Sequence, residues 1–342
     1  MPDSLPVRLF QGFRARPENW LVVVLLAVCA GLSIASPAFL TLSNLIDLVE
    51  SYSVRAILAM GLFVVLIAGG IDISFAAVAS VAQYVAAAMA AKLGLPPIIV
   101  LPAGLAIGVL LGCLNATLIH YARVTSIIIT IATMNTYFAF LMFFTGGHSI
   151  YDLPDWWSNR VVLFQTEAPN GDLIRITLPI LVMVLAVVLT WFLLNRTRAG
   201  RQLYAMGGNT ESARRIGISI AKMHYLAYGF LGFMAALAGL LQAHRVGESV
   251  PNALYGSELD VLSAAVLGGA SLSGGVGSVG GVVLGILLLA VIQNGLNLLG
   301  ISPYCFSIIT GAVIVVSTSV TVMSARGRRR SRVIGLEVPQ HG

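Results

Sequence analysis

Apolar residues in this chain come in runs long enough to cross a lipid bilayer, and short polar or glycine-rich segments separate the runs. A transmembrane α-helix needs about 20 mostly apolar residues, whereas a transmembrane strand is shorter and alternates apolar with polar positions. The runs here do not alternate. The pattern predicts about ten transmembrane helices, at residues 20–36, 52–68, 74–91, 98–120, 124–145, 174–194, 223–243, 258–272, 282–299 and 304–323.

Two segments beside the spans carry predictions of their own. Residues 41–50 predict a short interfacial helix before the second span, with Ser43 or Asn44 as its N-cap. The longest polar connection contains Trp156 and Trp157. We expect both indoles to lie at a membrane interface, where tryptophan is enriched.

The composition agrees with a membrane location. The chain is 58% hydrophobic and only 10% charged, whereas a soluble domain carries about 25% charged residues. We therefore predict an all-α polytopic membrane protein that forms one domain, residues 1–342, with its spans between 20 and 323. The three cysteines lie in apolar runs without metal-ligand spacing, so no metal site is expected.

Positive charge is concentrated in a few of the polar segments. Most Lys and Arg residues lie before the first span, in the central loop at 195–222 and in the basic tail at 324–342, whereas acidic residues dominate the alternate connections. Cytoplasmic segments of membrane proteins carry the excess of Lys and Arg. The pattern places the central loop and both termini in the cytoplasm, and it explains the net charge of +6 without nucleic-acid binding.

The chain also shows a weak internal similarity between its two halves. The Gly69-Gly70 pair follows the second span and Gly268-Gly269 lies in the eighth, while amide-containing segments occur in the fourth and ninth spans. Inverted repeats are common in transporters, and similar glycine breaks in two halves of a chain are their usual sign. This similarity makes an inverted repeat a possible feature of the fold.

Several polar side chains fall inside apolar runs, where an unpartnered polar group is costly. Asp72 follows the Gly69-Gly70 break and precedes Ser74, so its carboxylate can cap the N-terminus of the third span; a solute or ion site is the alternative. Uncharged amides in the spans either join helices by hydrogen bonds or line a path for a hydroxyl-rich solute. The candidates for the broken helix or a translocation path are Asp72, Ser74, Gln83, Asn115, Asn135, Asn294 and Asn297.

The basic loop at 195–222 is patterned as a short helix. Asn209 or Thr210 can cap its start, Glu211 lies in its first turn, two arginines follow in the last turn, and Gly217 can end it. A loop that only fixed the membrane orientation would need the cations but not the cap residues and glycines. We therefore predict that a partner docks on this segment.

Two motifs give the chain a resemblance to a known family. GGIDIS at 69–74 and GGNTESARRIGI at 207–218 are similar to segments of the membrane permeases of bacterial ABC importers for ribose-type simple sugars and related solutes. The resemblance covers nearly the whole chain, including the Thr-Ile-Ala-Thr-Met run at 130–134. It implies a ten-helix fold like that of the vitamin B12 importer, a type II ABC importer.

The resemblance also implies partners and a location in the bacterial inner membrane. Two permease subunits, identical or paralogous, would assemble in the lipid with two cytoplasmic ATP-binding subunits, and a periplasmic binding protein would deliver the solute. ATP and Mg²⁺ would belong to the ATPase, so this chain would bind no cofactor and would contain no catalytic residue. The expected coupling residues, from the resemblance and the helix pattern together, are Gly207, Gly208, Asn209, Ala213, Arg214, Arg215, Gly217 and Ile218.

The chain departs from the family pattern at two places. Phe75-Ala76 replace the usual Val-Gly, and Ser126-Ile127 replace the usual Pro-Phe. These positions lie in or next to spans, so they bear on the solute more than on the class of transporter. An ion-coupled secondary transporter and a membrane-embedded enzyme are the alternatives. The first is disfavoured because the spans contain no proton relay. The second is disfavoured because the chain contains no phosphate loop and no nucleophile–base pair.

Overall fold

The computed structural model describes residues 17–167, 171–302, 304–309, 311–312 and 315. Its helices are α1 (Pro17–Ala35), α2 (Leu42–Ile67), α3 (Phe75–Ala91), α4 (Pro97–Ala122), α5 (Ser126–Thr145), α6 (Asp155–Ser158), α7 (Leu178–Arg196), α8 (Arg198–Gly208), α9 (Thr210–Arg215), α10 (Ile220–Val246), α11 (Glu258–Leu267) and α12 (Val279–Leu298). Two strands, β1 (Val162–Glu167) and β2 (Leu173–Thr177), lie between α6 and α7.

The described residues form a polytopic helical bundle. Six helices are long and apolar enough to cross a membrane, namely α2, α4, α5, α7, α10 and α12, and shorter apolar helices occur at Trp20–Ala35 and in α3. With ten residues, α11 is shorter than the predicted span at 258–272. The predicted last span, 304–323, lies mostly outside the described residues. A multi-pass helical fold is therefore confirmed, whereas the number of ten spans stays a prediction.

Helix α2 lies at the centre of the bundle. It packs against α3, α7, α10, α11 and α12, and every side chain at 56–67 is buried. A helix that is apolar on all sides suits a position surrounded by other helices. The predicted separate helix at 41–50 was wrong, because no proline or glycine interrupts the chain there. The long helix begins instead after Thr41, whose hydroxyl accepts a hydrogen bond from the Asn44 amide.

Helix α4 approaches α10 closely because both helices present glycine where they cross. A Cβ at Gly108 would overlap the carbonyl oxygen of Gly232, and a Cβ at Gly112 would lie 3.2 Å from the Gly232 Cα. Small residues four positions apart let membrane helices approach until their backbones touch. This crossing fixes the position of α4, which carries Asn115.

The connection between α5 and α7 contains a β-hairpin that the all-α prediction missed. Its strands β1 and β2 pair antiparallel, with Gln165 opposite Arg175. Arg160, just before β1, forms an ion pair with Glu50 of α2 at 2.7 Å. The ion pair ties the hairpin to the central helix.

The two tryptophans before the hairpin occupy different environments. Trp157 is buried, and its indole Nε1 donates a hydrogen bond to the Leu240 carbonyl at 3.2 Å. Trp156 stacks on it and is partly exposed. The prediction that Trp157 anchors at a membrane interface was therefore wrong, because α10 supplies it with a protein partner.

Two glycine breaks meet at one end of the bundle. The first follows α2 and the second separates α11 from α12, and a Cβ at Gly274 would lie 2.6 Å from the Cα of Gly69. Helices α2 and α11 run in the same direction, because Tyr52 and Asp260, in their first halves, line one small cavity. An inverted repeat needs opposite directions. The prediction that these two glycine breaks belong to an inverted repeat was therefore wrong. An inverted repeat that relates the fourth and ninth spans stays a prediction.

Candidate functional site

The break between α2 and α3 is built from backbone that only glycine accommodates. Gly69 has a φ of +87°, in the left-handed region that other residues rarely adopt. A Cβ at Gly70 would overlap the hydroxyl of Tyr228 in α10. The chain therefore turns out of α2 at Gly69 and passes close against α10 before α3 begins.

Asp72 lies in the middle of this break and is 2% exposed. Its Oδ1 accepts hydrogen bonds from both the amide and the hydroxyl of Ser74, each at 2.7 Å. Ser74 is the N-cap residue of α3. The carboxylate thus fixes the turn directly before α3. It bonds the cap residue and none of the first-turn amides, so the prediction that Asp72 itself caps the helix was wrong.

Asn115 of α4 completes the surroundings of Asp72. Its Nδ2 donates to Asp72 Oδ2 at 3.3 Å and to the Ser74 hydroxyl at 2.7 Å, while its Oδ1 accepts from the Tyr137 hydroxyl at 3.0 Å. The four side chains form one network across the break, α4 and α5. Because the network is buried and each member is hydrogen-bonded, it holds these elements together.

Two hydroxyls at the start of α5 bind the backbone of the break. The Ser126 Oγ accepts a hydrogen bond from the Ile71 amide at 2.9 Å. The Thr130 Oγ1 accepts from the Ile73 amide at 3.4 Å. Ser126 is one of the departures from the family pattern noted above, and a proline at that position has no hydroxyl to accept this bond.

The other candidate side chains lie apart from this network. Gln83 is buried, and its Nε2 donates to the Val250 carbonyl at 2.9 Å. Asn294 exchanges hydrogen bonds with Asn44 of α2, at 2.9 and 3.1 Å. The first contact joins α3 to the connection that follows α10, and the second joins α12 to α2. Of the seven predicted residues, the structure brings together only Asp72, Ser74 and Asn115.

Asn135 lies on the exposed face of α5. Its Nδ2 donates to the Ile131 carbonyl of its own helix at 3.0 Å, and the neighbouring Thr136 hydroxyl likewise bonds the Ala132 carbonyl at 2.8 Å. Both side chains are exposed, although they lie in the middle of a membrane-length helix. Asn297, at the end of α12, is exposed as well. A polar face at this depth is a functional candidate, because lipid is a poor environment for an amide.

The basic loop forms two helices, α8 and α9. The second is the short helix that the cap residues predict. The Asn209 Oδ1 accepts a hydrogen bond from the Ser212 amide at 2.8 Å, which caps the start of α9. Gly217, with a φ of +86°, ends it, and the Ile218 amide reaches back to the Ala213 carbonyl at 3.0 Å. The segment 198–217 is called the coupling segment from here on.

The outer surface of α9 is charged and exposed. Arg214 and Arg215 both approach Glu211, at 3.7 and 3.3 Å, and all three side chains remain more than half exposed. Ile216 is 74% exposed, whereas Ala213 is buried and forms the contact with the rest of the bundle. An exposed isoleucine directly after two exposed arginines is suited to a protein partner.

Sequence reasoning missed several residues that the structure places at the site. Tyr137, Ser126 and Thr130 are polar residues inside an apolar run, and that position could have marked them. Tyr204 of α8 gave no such sign; its hydroxyl donates to the Gly277 carbonyl at 2.9 Å. Burial raises the pKa of Tyr204, so the hydroxyl stays protonated and able to donate at physiological pH. No group of three or more His, Cys, Asp or Glu among the described residues could hold a metal ion.

Comparisons with known proteins match nearly the whole chain. Residues 44–318 match the model of the family described as branched-chain amino acid transport system permease components. The ribose import permease protein RbsC of Escherichia coli K12 is 32% identical over 90% of this chain and 96% of its own length. The RbsC protein of Bacillus subtilis 168 is 33% identical over 90% and 93%. The galactose/methyl galactoside import permease protein MglC of Salmonella typhimurium LT2 is 32% identical over 87% and 92%. No solved structure matches the chain.

Proposed function

Because this chain belongs to the family of branched-chain amino acid transport system permease components, we propose that it forms the solute path of an ATP-driven sugar importer. Permeases of this family are subunits of ABC importers of the bacterial inner membrane, and ATP hydrolysis belongs to a separate subunit. A binding protein supplies the solute. The resemblance read from the two motifs is thereby confirmed, and the family gives no support to a secondary transporter or a membrane enzyme.

A sugar is the solute that the relatives favour. The family description names branched-chain amino acids, whereas the relatives that match over nearly their whole length are named as import permeases for ribose or for galactose and methyl galactoside. Identity over a whole chain reflects the solute path more directly than membership of a broad family. We therefore assign a monosaccharide to this chain.

The coupling segment is our candidate for the contact with the ATPase. Its second helix is short, capped at both ends and fully outside the bundle except for Ala213. Arg214, Arg215 and Ile216 give it a basic and apolar surface that suits a cleft in a partner. This is the single observation that carries the proposal, because membrane orientation alone requires no ordered helix.

The positive-inside rule then orients the chain. If the coupling segment is cytoplasmic, the glycine breaks lie towards the cytoplasm, and the β-hairpin lies on the periplasmic side, where a binding protein would dock. The basic segments before α1 and after the last span fall on the cytoplasmic side with it.

The exposed polar face of α5 is our candidate for the solute path. Asn135 and Thr136 would face lipid if one chain worked alone. A second permease copy against this face would replace lipid by a polar channel between the copies. Amide and hydroxyl groups that are already bonded within their own helix offer weak, reversible contacts, which a path for hydroxyl-rich solutes needs.

Uptake by the reconstituted complex tests the proposal. The chain is placed in proteoliposomes with the ATP-binding subunit that co-purifies with it and its binding protein, and labelled ribose, galactose and leucine are offered. We expect ATP-dependent uptake of a sugar but not of leucine, and no hydrolysis by the chain alone. Uptake of leucine would contradict the assigned solute, and uptake without any ATPase would contradict the class.

A further inference from the structure

Three backbone segments cross in direct contact where the coupling segment meets the break after α2. A Cβ at Gly207 would overlap the Ile67 carbonyl oxygen and would lie 2.6 Å from the Gly275 amide nitrogen. A Cβ at Gly274 would lie 2.6 Å from the Gly69 Cα and 2.8 Å from the Gly207 carbonyl oxygen. Real Cβ atoms essentially never approach so closely. Only glycine permits this crossing.

Hydrogen bonds fasten the same three segments to one another. The Gly275 amide, in the second break, donates to the carbonyl oxygen of Ile67 at the end of α2, at 3.0 Å. The Tyr204 hydroxyl, in the coupling segment, donates to the Gly277 carbonyl of that second break at 2.9 Å. The coupling segment therefore cannot shift against the end of α2 without breaking a bond or opening the crossing.

On its other side the first break is fastened to α5. The Ile71 amide bonds Ser126 and the Ile73 amide bonds Thr130, within four residues of Gly69. Helix α5 carries the exposed polar face at Asn135. A continuous, close-packed route thus runs from the coupling segment to that face, and close-packed contacts with little free space transmit displacement.

We propose that Gly69, Gly207, Gly274 and Gly275, the glycine junction, pass displacement of the coupling segment to the broken helix and from there to α5. These glycines are positioning residues, because their role is to let three backbone segments lie in direct contact. The proposal rests on the proposed function and adds the physical connection between the ATPase contact and the solute path.

The variant that tests the junction is Gly207→Ala, and its matched control is Gly280→Ala. Both changes add one methyl group within a helix, but a Cβ at Gly280 would meet nothing within 4 Å. Each variant is assembled with the ATPase and binding protein in proteoliposomes, after replacement of the three native cysteines and introduction of Asn135→Cys. The labelling rate of that cysteine by a water-soluble maleimide is compared between the nucleotide-free complex and the ATP–vanadate-trapped complex.

We expect Gly207→Ala to assemble and hydrolyse ATP, while the nucleotide-dependent change in labelling and the uptake of labelled ribose or galactose each fall about tenfold. Gly280→Ala should match the parent. A Gly207→Ala complex that keeps the full change in labelling would overturn the junction but leave the proposed function standing. A parent complex that shows no nucleotide-dependent labelling but still takes up sugar would overturn the junction and the solute path assigned to α5, and would leave the class of transporter standing.

A second variant decides the question if Gly207→Ala does not assemble. Tyr204→Phe removes only the hydroxyl that donates to Gly277, so the packing volume is kept. We expect a roughly twofold to threefold smaller change in labelling, with ATP hydrolysis retained. Labelling identical to the parent would overturn the proposal.

Discussion

Asn115 donates a hydrogen bond to Asp72 across 43 positions of the sequence, with 3.3 Å between Nδ2 and Oδ2. The same amide bonds Ser74 and accepts from Tyr137. One side chain of α4 thereby holds the broken helix against α5. A buried network of this kind stabilises one arrangement only if every member is satisfied.

Removal of the amide should destabilise the fold. Asn115→Leu leaves the Asp72 Oδ2 and the Tyr137 hydroxyl without this partner, and each unsatisfied buried polar group costs about 1–3 kcal/mol. We expect a clearly lower midpoint of thermal unfolding in detergent. Asn135→Leu is the control, because that exposed amide bonds only its own helix. Equal midpoints for the two variants would show that the network contributes nothing.

A double-mutant cycle should reveal the direct pairing. Asp72→Asn places an amide donor opposite the Nδ2 of Asn115, whereas Asn115→Asp places a second carboxylate beside Asp72. Each single change is unfavourable. In the double variant a donor again faces an acceptor, so its loss of stability should be smaller than the sum of the two single losses by about 1 kcal/mol. Strict additivity would mean that the two side chains do not interact.

Gly217 should stabilise the C-terminal end of α9 only through its left-handed backbone conformation. Its φ is +86°, and a Cβ there would meet no atom within 4 Å. Gly217→Ala should destabilise the end of α9 by about 1–2 kcal/mol, because a left-handed conformation is costly for alanine. Gly208→Ala has the same open surroundings but no positive φ. Hydrogen exchange of the α9 amides should become faster in the first variant only.

The arginines of α9 should act on the partner more than on the fold. Arg214→Gln with Arg215→Gln removes exposed ion pairs to Glu211, which contribute little stability in water. The Asn209 cap remains, so the helix and membrane insertion should persist, while sugar uptake falls by about tenfold or more as interface charges are lost. Unchanged uptake in proteoliposomes would count against docking at α9. Arg196→Gln, outside α9, is the control.

The hairpin should depend on its ion pair with α2. The Glu50 side chain is 9% exposed and that of Arg160 is 52% exposed, so Arg160→Met leaves a largely buried carboxylate without its cation. We expect a loss of about 1–3 kcal/mol in the stability of the hairpin, seen as faster hydrogen exchange of the β1 and β2 amides. Glu50→Gln, which keeps an acceptor, should have a smaller effect. A larger effect of Glu50→Gln would contradict the role assigned to the pair.

Features that depend on neighbours along the chain could be predicted from the sequence. Membrane-length apolar runs, the glycine break before Asp72 and the cap residues Asn209 and Gly217 are of this kind, because hydropathy and helix ends depend on local composition. The hairpin was missed because its second strand, Leu173–Thr177, runs directly into the apolar residues of α7 and was counted as the start of a span. The separate helix at 41–50 was wrong because no proline or glycine ends a helix there, so the chain continues as one helix to Ile67.

The sequence by itself therefore determined the class of protein, the capped helix in the basic loop and the candidate polar residues. Only the tertiary structure decided that Asn115 and Tyr137 meet Asp72, that Asn135 faces outward, and that the glycines at 207 and 274 cross the end of α2. An amide on a helix can face any neighbour, and which neighbour it meets depends on how the helices pack. Packing is set by contacts between segments that are far apart in the sequence, which no local pattern records.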